Sequence, residues 1–290
     1  MFNLKETDTI ALVSSSNGLD LSVNDDIESL KDTLKSLNIN VIQSTYLFKD
    51  NNNLSYNGYL RAKDIMKFFK DSSIKAIFDL SGGDLCNEVL RFLDYDLIKK
   101  NNKPYFGYSD VSVLLNTLYS KSNIVSYNYQ LRNIIKDTSK IQLKSFKDTL
   151  FNKKNDLFDF KYKFLQGDSL EGVVIGGNIR CFLKLCGTQY MPSFEKKVLL
   201  LESLGGDLNK IATFIEQYHQ IGAFDKINGI LLGEFTELEK NYDLEFICKF
   251  LLSKINTKNI PIVKTEEIGH SKNSKAIAIG DYLSLKNSNM

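Results

Sequence analysis

Two histidines among 290 residues, four cysteines without a CxxC pair, and no run approaching about 18 apolar residues exclude several kinds of protein at the outset. With so few soft ligands, with HExxH absent, and with neither His219 nor His270 partnered at ligand spacing, no metal is expected. GxGxxG and GxxxxGK[ST] are both missing, so the Gly82-Gly83 and Gly176-Gly177-Asn178 turns are not nucleotide fingerprints and no cofactor is expected. Lys+Arg 37 against Asp+Glu 35 leaves a net charge of +2, too little for a sequence-wide field that would hold nucleic acid or an anionic membrane. The opening MFNLKETDTIALVSSS sets acids before a four-residue apolar run, too short for a signal peptide. A soluble cytoplasmic protein is expected, with Cys86, Cys181, Cys186 and Cys248 as reduced, packed thiols.

The chain does hold 43% hydrophobic residues, enough for a sizeable core, and at roughly 100 to 200 residues per domain its length suggests two domains. Ile10-Ala11-Leu12-Val13 reads as a strand buried on both faces, followed by a helix that Asp25 and Asp26 can cap and that Ile27, Leu30, Leu34 and Leu37 make amphipathic. Residues 39–42 form a second strand, residues 59–69 a helix, and residues 74–80 a third strand running into Ser81-Gly82-Gly83-Asp84. Alternating strands and helices imply an α/β fold with a doubly wound parallel sheet, whose ligands bind beyond the carboxyl ends of the strands, where the Gly82-Gly83 turn sits. Periodicity dissolves between residues 134 and 165, where lysines alternate with aspartates as on a solvated connection. The expected domains are therefore 1–133 and 166–290, with 134–165 between them.

Pro104-Tyr105-Phe106-Gly107-Tyr108-Ser109-Asp110 compresses a strand, a bend and a helix start around Ser109. That geometry suits a nucleophile elbow, although Val111 stands where G-x-S-x-G has its second glycine and a Ser-Asp pair is equally a common helix cap. A nucleophilic serine needs a base. His219 falls at the edge of a helical apolar stripe, where a packed histidine is ordinary, whereas His270 lies in a polar, glycine-opened loop from which it can reach a cleft. Glu202 ends the apolar run Val198–Leu201 and could orient that histidine or be solvated. The order Ser109, Glu202, His270 matches that of the α/β-hydrolases.

Taken with Leu93-Asp94-Tyr95-Asp96, Gly187-Thr188 and Ile279-Gly280, these motifs, in this order from the first strand to about Asp281, resemble the LD-carboxypeptidase family of serine peptidases, which also contains the microcin C self-immunity peptidases. The resemblance implies an N-terminal flavodoxin-like domain, a C-terminal β-barrel-like α/β domain and a homodimer. It implies Ser109 as nucleophile, His270 as general base and acid, Glu202 as its carboxylate, and the backbone N–H groups of Gly83 and Asp110 as the oxyanion hole. It also implies substrate contacts at Gly82, Asp84 and Asn87. Murein-tetrapeptide members carry Arg before the Gly-Gly and Tyr-Gly after it, where this chain has Ser81, Asp84 and Leu85. Asn87 is similar to the Ser-Asn of the microcin-immunity branch, and Tyr129-Gln130 replaces its Gly-Pro. The expected substrate is a small peptide: first a murein tetrapeptide losing its terminal D-alanine, second a peptidyl- or aminoacyl-nucleotide antibiotic. A non-catalytic peptide-binding protein is the alternative of another class, and it requires no proximity among Ser109, Glu202 and His270.

Overall fold

Short apolar runs bounded by polar turns become strands covered on both faces. The structure, a computed structural model, describes residues 4–287. Its strands are β1 (Thr9–Val13), β2 (Asn40–Gln43), β3 (Ile74–Asp79), β4 (Tyr105–Gly107), β5 (Ser126–Asn128), β6 (Lys163–Gln166), β7 (Ser169–Asn178), β8 (Lys197–Ser203), β9 (Gly229–Phe235), β10 (Ile262–Lys264), β11 (Ile277–Ile279) and β12 (Tyr282–Lys286). They form two six-stranded sheets, ordered β11-β5-β4-β3-β1-β2 and β12-β7-β8-β9-β10-β6. In the first, β2, β1, β3, β4 and β5 run parallel, and β11 joins β5 antiparallel. In the second, β7 to β10 run parallel between antiparallel β12 and β6, and the sheet curls into a half-barrel. The expected α/β class with a doubly wound parallel sheet and a barrel-like second sheet is what the chain adopts.

The helix Asn24–Ser36 buries Ile27, Leu30 and Leu34, as its spacing requires. Asp25 and Asp26 do not cap it; Val23 holds the cap position with no side-chain bond, and the two acids lie in the first turn, where they meet the positive end of the helix dipole. The second helix, Gly58–Lys70, is capped by Asn57, whose side chain accepts from Leu60 N at 3.0 Å.

Residues 134–165 are more than a tether. They include most of the helix Asn133–Lys136 and all of Ile141–Phe151, and Phe146 and Leu150 are fully buried in one core cluster with Phe78, Phe106 and Leu4. The lysines anticipated there are exposed, but the acid they share is not: Lys144 and Lys154 pair with largely buried Asp148 at 2.7 and 3.0 Å. Apolar residues at the remaining positions close one face of the first sheet, a packing that local periodicity did not reveal.

Among the contacts that join the halves, two frame the site. Asn116, on the helix Ser112–Ser122, donates to Gly176 O and accepts from Gly176 N at 2.7 and 2.8 Å, and Ser112 Oγ accepts from Asn178 N at 3.0 Å. A Cβ on Gly177 would come within 2.4 Å of Ser112 Oγ, so the absence of a side chain there lets β7 touch that helix, while one on Gly176 would come within 2.3 Å of Leu200 O on β8. The second contact is β11, which carries the chain following His270 back into the first sheet.

Candidate active site

β4 ends at Gly107, Tyr108 is extended, and Ser109 turns into the left-handed region with φ of 56° before the helix Ser112–Ser122 begins. A serine with positive φ costs on the order of 1 kcal/mol or more and persists only where packing imposes it. Packing does so here: a Cβ on Gly107 would lie 2.4 Å from Val111 Cγ1, so the valine that replaces the second elbow glycine fills the space the first one leaves. Ser109 caps neither the short turn nor the helix after it, since neither has a side-chain capping bond. Its half-buried hydroxyl faces Gly82, where a Cβ would stand 3.6 Å from Ser109 Oγ.

The carboxyl ends of β1 and β3 are clamped by Asp79, a fully buried acid that accepts from Ser15 N at 3.0 Å, Ser81 N at 3.0 Å and Tyr105 Oη at 2.7 Å. Burial raises its pKa, with these hydrogen bonds opposing. The clamp holds Gly83 with φ of 111° beside Asn17, whose Oδ1 accepts from Asp84 N and Leu85 N at 3.0 and 3.2 Å. Among the described residues the Gly83 N–H has no acceptor, and the Asp110 N–H, in the first turn of its helix, has none by geometry.

Asp110 contributes more than its backbone. Its carboxylate is fully buried, accepting from Ser16 Oγ at 2.6 Å and Cys86 N at 2.9 Å and pairing with Lys184. Lys184 also donates to Asp84 O at 2.8 Å. The residue after the serine is thereby tied to the turn after β1, to the Gly82-Gly83 turn and to the second half of the chain. Arg61, buried to 1% exposure, donates to Ser15 O and Ser16 O and pairs with Glu88, fixing the same turn from behind.

Register carries the site across the halves: Asn178, touching Ser112, pairs with Glu202 on the neighbouring strand. Glu202 is 1% exposed, and its Oε2 meets His270 Nδ1 at 2.7 Å while Oε1 has no partner. Glu234, at the end of β9, accepts from His270 N at 3.0 Å and Ser271 N at 2.8 Å, pinning the loop. With Nδ1 facing the carboxylate, the neutral ring carries its proton there and leaves Nε2 as an acceptor. Nε2 is buried and has no hydrogen-bond partner; in particular, it is not bonded to Ser109 Oγ in this conformation. The ring of Tyr108, the residue before Ser109, lies 5.4 Å from that of His270. Burial depresses the His270 pKa, but Glu202 and Glu234 outweigh it, and the net shift is above the usual 6.5.

Ser109, Gly83, Asp84, Asn178, Arg180, Gly206 and Lys210 line one open cleft of about 450 Å³. A larger hollow of about 780 Å³ lies by Lys161, Cys248 and Lys264, and none of the residues above opens into it. Asn87 is exposed on the turn Cys86–Glu88 and does not line the cleft. His219 has the packed role anticipated for it, with Nε2 3.0 Å from Lys254 O and its ring against Phe224. Cys86 and Cys181 are buried thiols, and burial raises the pKa of both. Among the described residues no three His, Cys, Asp or Glu side chains converge as a metal site, and no helix is long and apolar enough to cross a membrane. Glu234, Lys184 and Arg61 escaped sequence reasoning. Only Glu234 had a local signal, since it ends an apolar strand in the way Glu202 does.

Comparison with known proteins matches residues 10–129 to the LD-carboxypeptidase N-terminal domain and residues 171–285 to the LD-carboxypeptidase C-terminal domain. YocD of Bacillus subtilis, named as a carboxypeptidase, is 26% identical over 96% of this chain and 93% of its own. The crystal structure of an MccF-like protein from Bacillus anthracis is 26% identical, with a TM-score of 0.85 over 99% of this chain and 96% of its own. Muramoyltetrapeptide carboxypeptidase from Oxalobacter formigenes, 22% identical, shares the fold with a TM-score of 0.78 over 97% and 95% of the two chains.

Proposed function

The chain belongs to the LD-carboxypeptidase family, and from that premise we propose that it is a serine carboxypeptidase that releases terminal D-alanine from murein tetrapeptides. One observation carries the reading: a buried histidine whose Nδ1 is held by a buried carboxylate and whose Nε2 is left without a partner. A purely structural histidine would have both nitrogens satisfied. The pairing of Glu202 with His270, which a non-catalytic peptide-binding role does not require, weighs against that role.

In the proposed reaction Ser109 Oγ attacks the amide carbonyl while His270 Nε2 takes its proton. The negative charge that develops on the carbonyl oxygen is met by the N–H groups of Gly83 and Asp110, both held still by the Asp79 and Asp110 networks before substrate arrives. His270 then returns the proton to the departing amine, and the acyl bond on Ser109 is hydrolysed by water through the same steps in reverse roles. Glu202 keeps the ring in the tautomer that can accept and stabilises it once charged. The hydrogen bond from Ser109 Oγ to Nε2, absent in this conformation, is one the mechanism requires to form when substrate binds.

A second reading has specific support. The 26% identity with an MccF-like protein favours hydrolysis of an aminoacyl- or peptidyl-nucleotide by the same machinery. The deciding experiment incubates the purified protein and its Ser109→Ala variant with a murein tetrapeptide and, separately, with an aminoacyl-nucleotide toxin. D-alanine released by the wild type alone is expected. Absence of D-alanine with cleavage of the nucleotide conjugate would overturn the first reading in favour of the second. Cleavage by both preparations would remove Ser109 from the mechanism.

A further inference from the structure

The proposed reaction uses Ser109, His270, Glu202 and two backbone amides, yet the cleft also holds a guanidinium that this chemistry leaves idle. Arg180 stands on the turn after β7, in the lining shared with Ser109 and Gly83. Its Nη1 meets Asp84 Oδ1 at 2.6 Å and its Nη2 donates to Gly83 O at 3.0 Å. We propose that Arg180 is the docking group for the free α-carboxylate of the residue to be released, with Asp84 as a resident counter-ion that the substrate carboxylate displaces or shares. The proposal rests on the peptidase reading and adds to it a reason for cutting only at the chain end.

Position is the first support. Arg180 grips the carbonyl of Gly83, the residue whose N–H is the candidate oxyanion donor, so it lies one residue from where the scissile oxygen would be held. In a C-terminal residue the carboxylate carbon is three bonds from the scissile carbonyl carbon, which matches so short a span. Availability is the second. The Arg180 side chain is 46% exposed, and only two of its five N–H groups are engaged, leaving donors for a planar, two-oxygen acceptor. Lys184 is not free for this purpose, being committed to Asp110 and to Asp84 O. Charge is the third. Asp84 would repel an incoming carboxylate were it not neutralised, and its hydrogen bond to Arg180, against slight burial, holds its pKa below the usual carboxylate range. The remaining charges of the cleft are Glu237, occupied by Gly206 N at 2.6 Å, and exposed Lys210. The resident acid at position 84 is thus a stand-in for the ligand, showing what kind of group Arg180 accepts.

The test compares a peptide ending in free D-alanine with the same peptide ending in D-alanine carboxamide. The wild type should favour the acid. Arg180→Gln should lower kcat/KM for the acid by about 10- to 100-fold, mainly through KM, and leave the amide within a few-fold, since one charge-assisted pair is lost. Asp84→Asn should hold or improve KM for the acid, and Arg180→Gln with Asp84→Asn should recover part of the loss by removing the uncompensated acid. Equal losses on both substrates, no loss on either, or a preference erased by Lys210→Gln and untouched by Arg180→Gln would each overturn the assignment. Binding of both peptides to Ser109→Ala, measured calorimetrically, separates this from the parent reading. An acid preference that depends on Arg180 without any turnover by the wild type would keep the carboxylate site and discard the peptidase; turnover without Arg180 dependence would do the reverse.

Discussion

Glu202→Gln tests the central chemistry most directly, because it changes one atom of a buried pair. The carboxylate is 1% exposed and holds His270 through a single 2.7 Å contact, its other oxygen having no partner. Glutamine can satisfy the ring in two ways, and both fail. If its amide oxygen faces Nδ1–H, its NH₂ occupies the site of the unpartnered Oε1, a buried donor without an acceptor that costs roughly 1 to 3 kcal/mol. If its NH₂ faces Nδ1, the ring must carry its proton on Nε2 and can no longer accept one from Ser109. Loss of the orienting charge in a Ser-His-acid arrangement typically lowers kcat by about 10,000-fold; allowing for the help Glu234 still gives to the loop, we expect about 1,000- to 10,000-fold, or roughly 4 to 5.5 kcal/mol of barrier. The pH dependence has a definite sign. His270 must be neutral to act, and its pKa, lowered by burial but raised further by Glu202 and Glu234, lies above 6.5, so wild-type kcat/KM falls as pH drops through that raised value. Without the Glu202 charge, burial is opposed by Glu234 alone, and the acid limb of the residual activity moves to lower pH. The assay is kcat/KM for D-alanine release from pH 5 to 9 on both proteins, with thermal melts to confirm folding. A folded Glu202→Gln enzyme within tenfold of wild type, or with an unmoved acid limb, would refute the roles assigned to both residues. Melts against pH add a check: a raised histidine pKa contributes stability that is complete below the unfolded value and fades as pH rises through the folded one.

Gly83→Ala forces a side chain onto a φ of 111° and to within 2.4 Å of Asn17, displacing an oxyanion donor; kcat should fall about 100- to 1,000-fold with KM changed far less, as steady-state kinetics would show. Lys184→Met strands the fully buried Asp110 carboxylate, and denaturant unfolding should report a loss of about 3 to 5 kcal/mol, part of which returns when Asp110→Asn is added. Phe146→Ala empties a fully buried position in the supposed connection, and a cost of about 3 to 5 kcal/mol in the same measurement would show that residues 134–165 belong to the core; a cost under 1 kcal/mol would show that they do not.

Much of the architecture was legible in the chain because its signals are local. Four-residue apolar runs such as Ile10–Val13 and Val198–Leu201 announce doubly covered strands, and Ile27, Leu30 and Leu34 announce a helix face, since period and burial are properties of neighbours in sequence. The candidate site residues were equally visible as types at special places: a serine at a bend, an acid at a strand end, a histidine in a glycine-opened loop. What they do together was not. Whether Glu202 is solvated or buried against His270 depends on the parallel pairing of β7 with β8, on Gly177 letting Ser112 approach, and on β11 drawing the chain after His270 into the other sheet. Those are contacts between residues 24 to 153 positions apart, and no local pattern encodes them. The same holds for Asp110, whose carboxylate looked like an ordinary cap and proved to be the buried partner of Lys184, 74 residues away. Composition and periodicity settle which segments must hide from water; only the closed chain decides which polar groups are hidden together, because the penalty for burying a charge alone is paid or avoided at that last step.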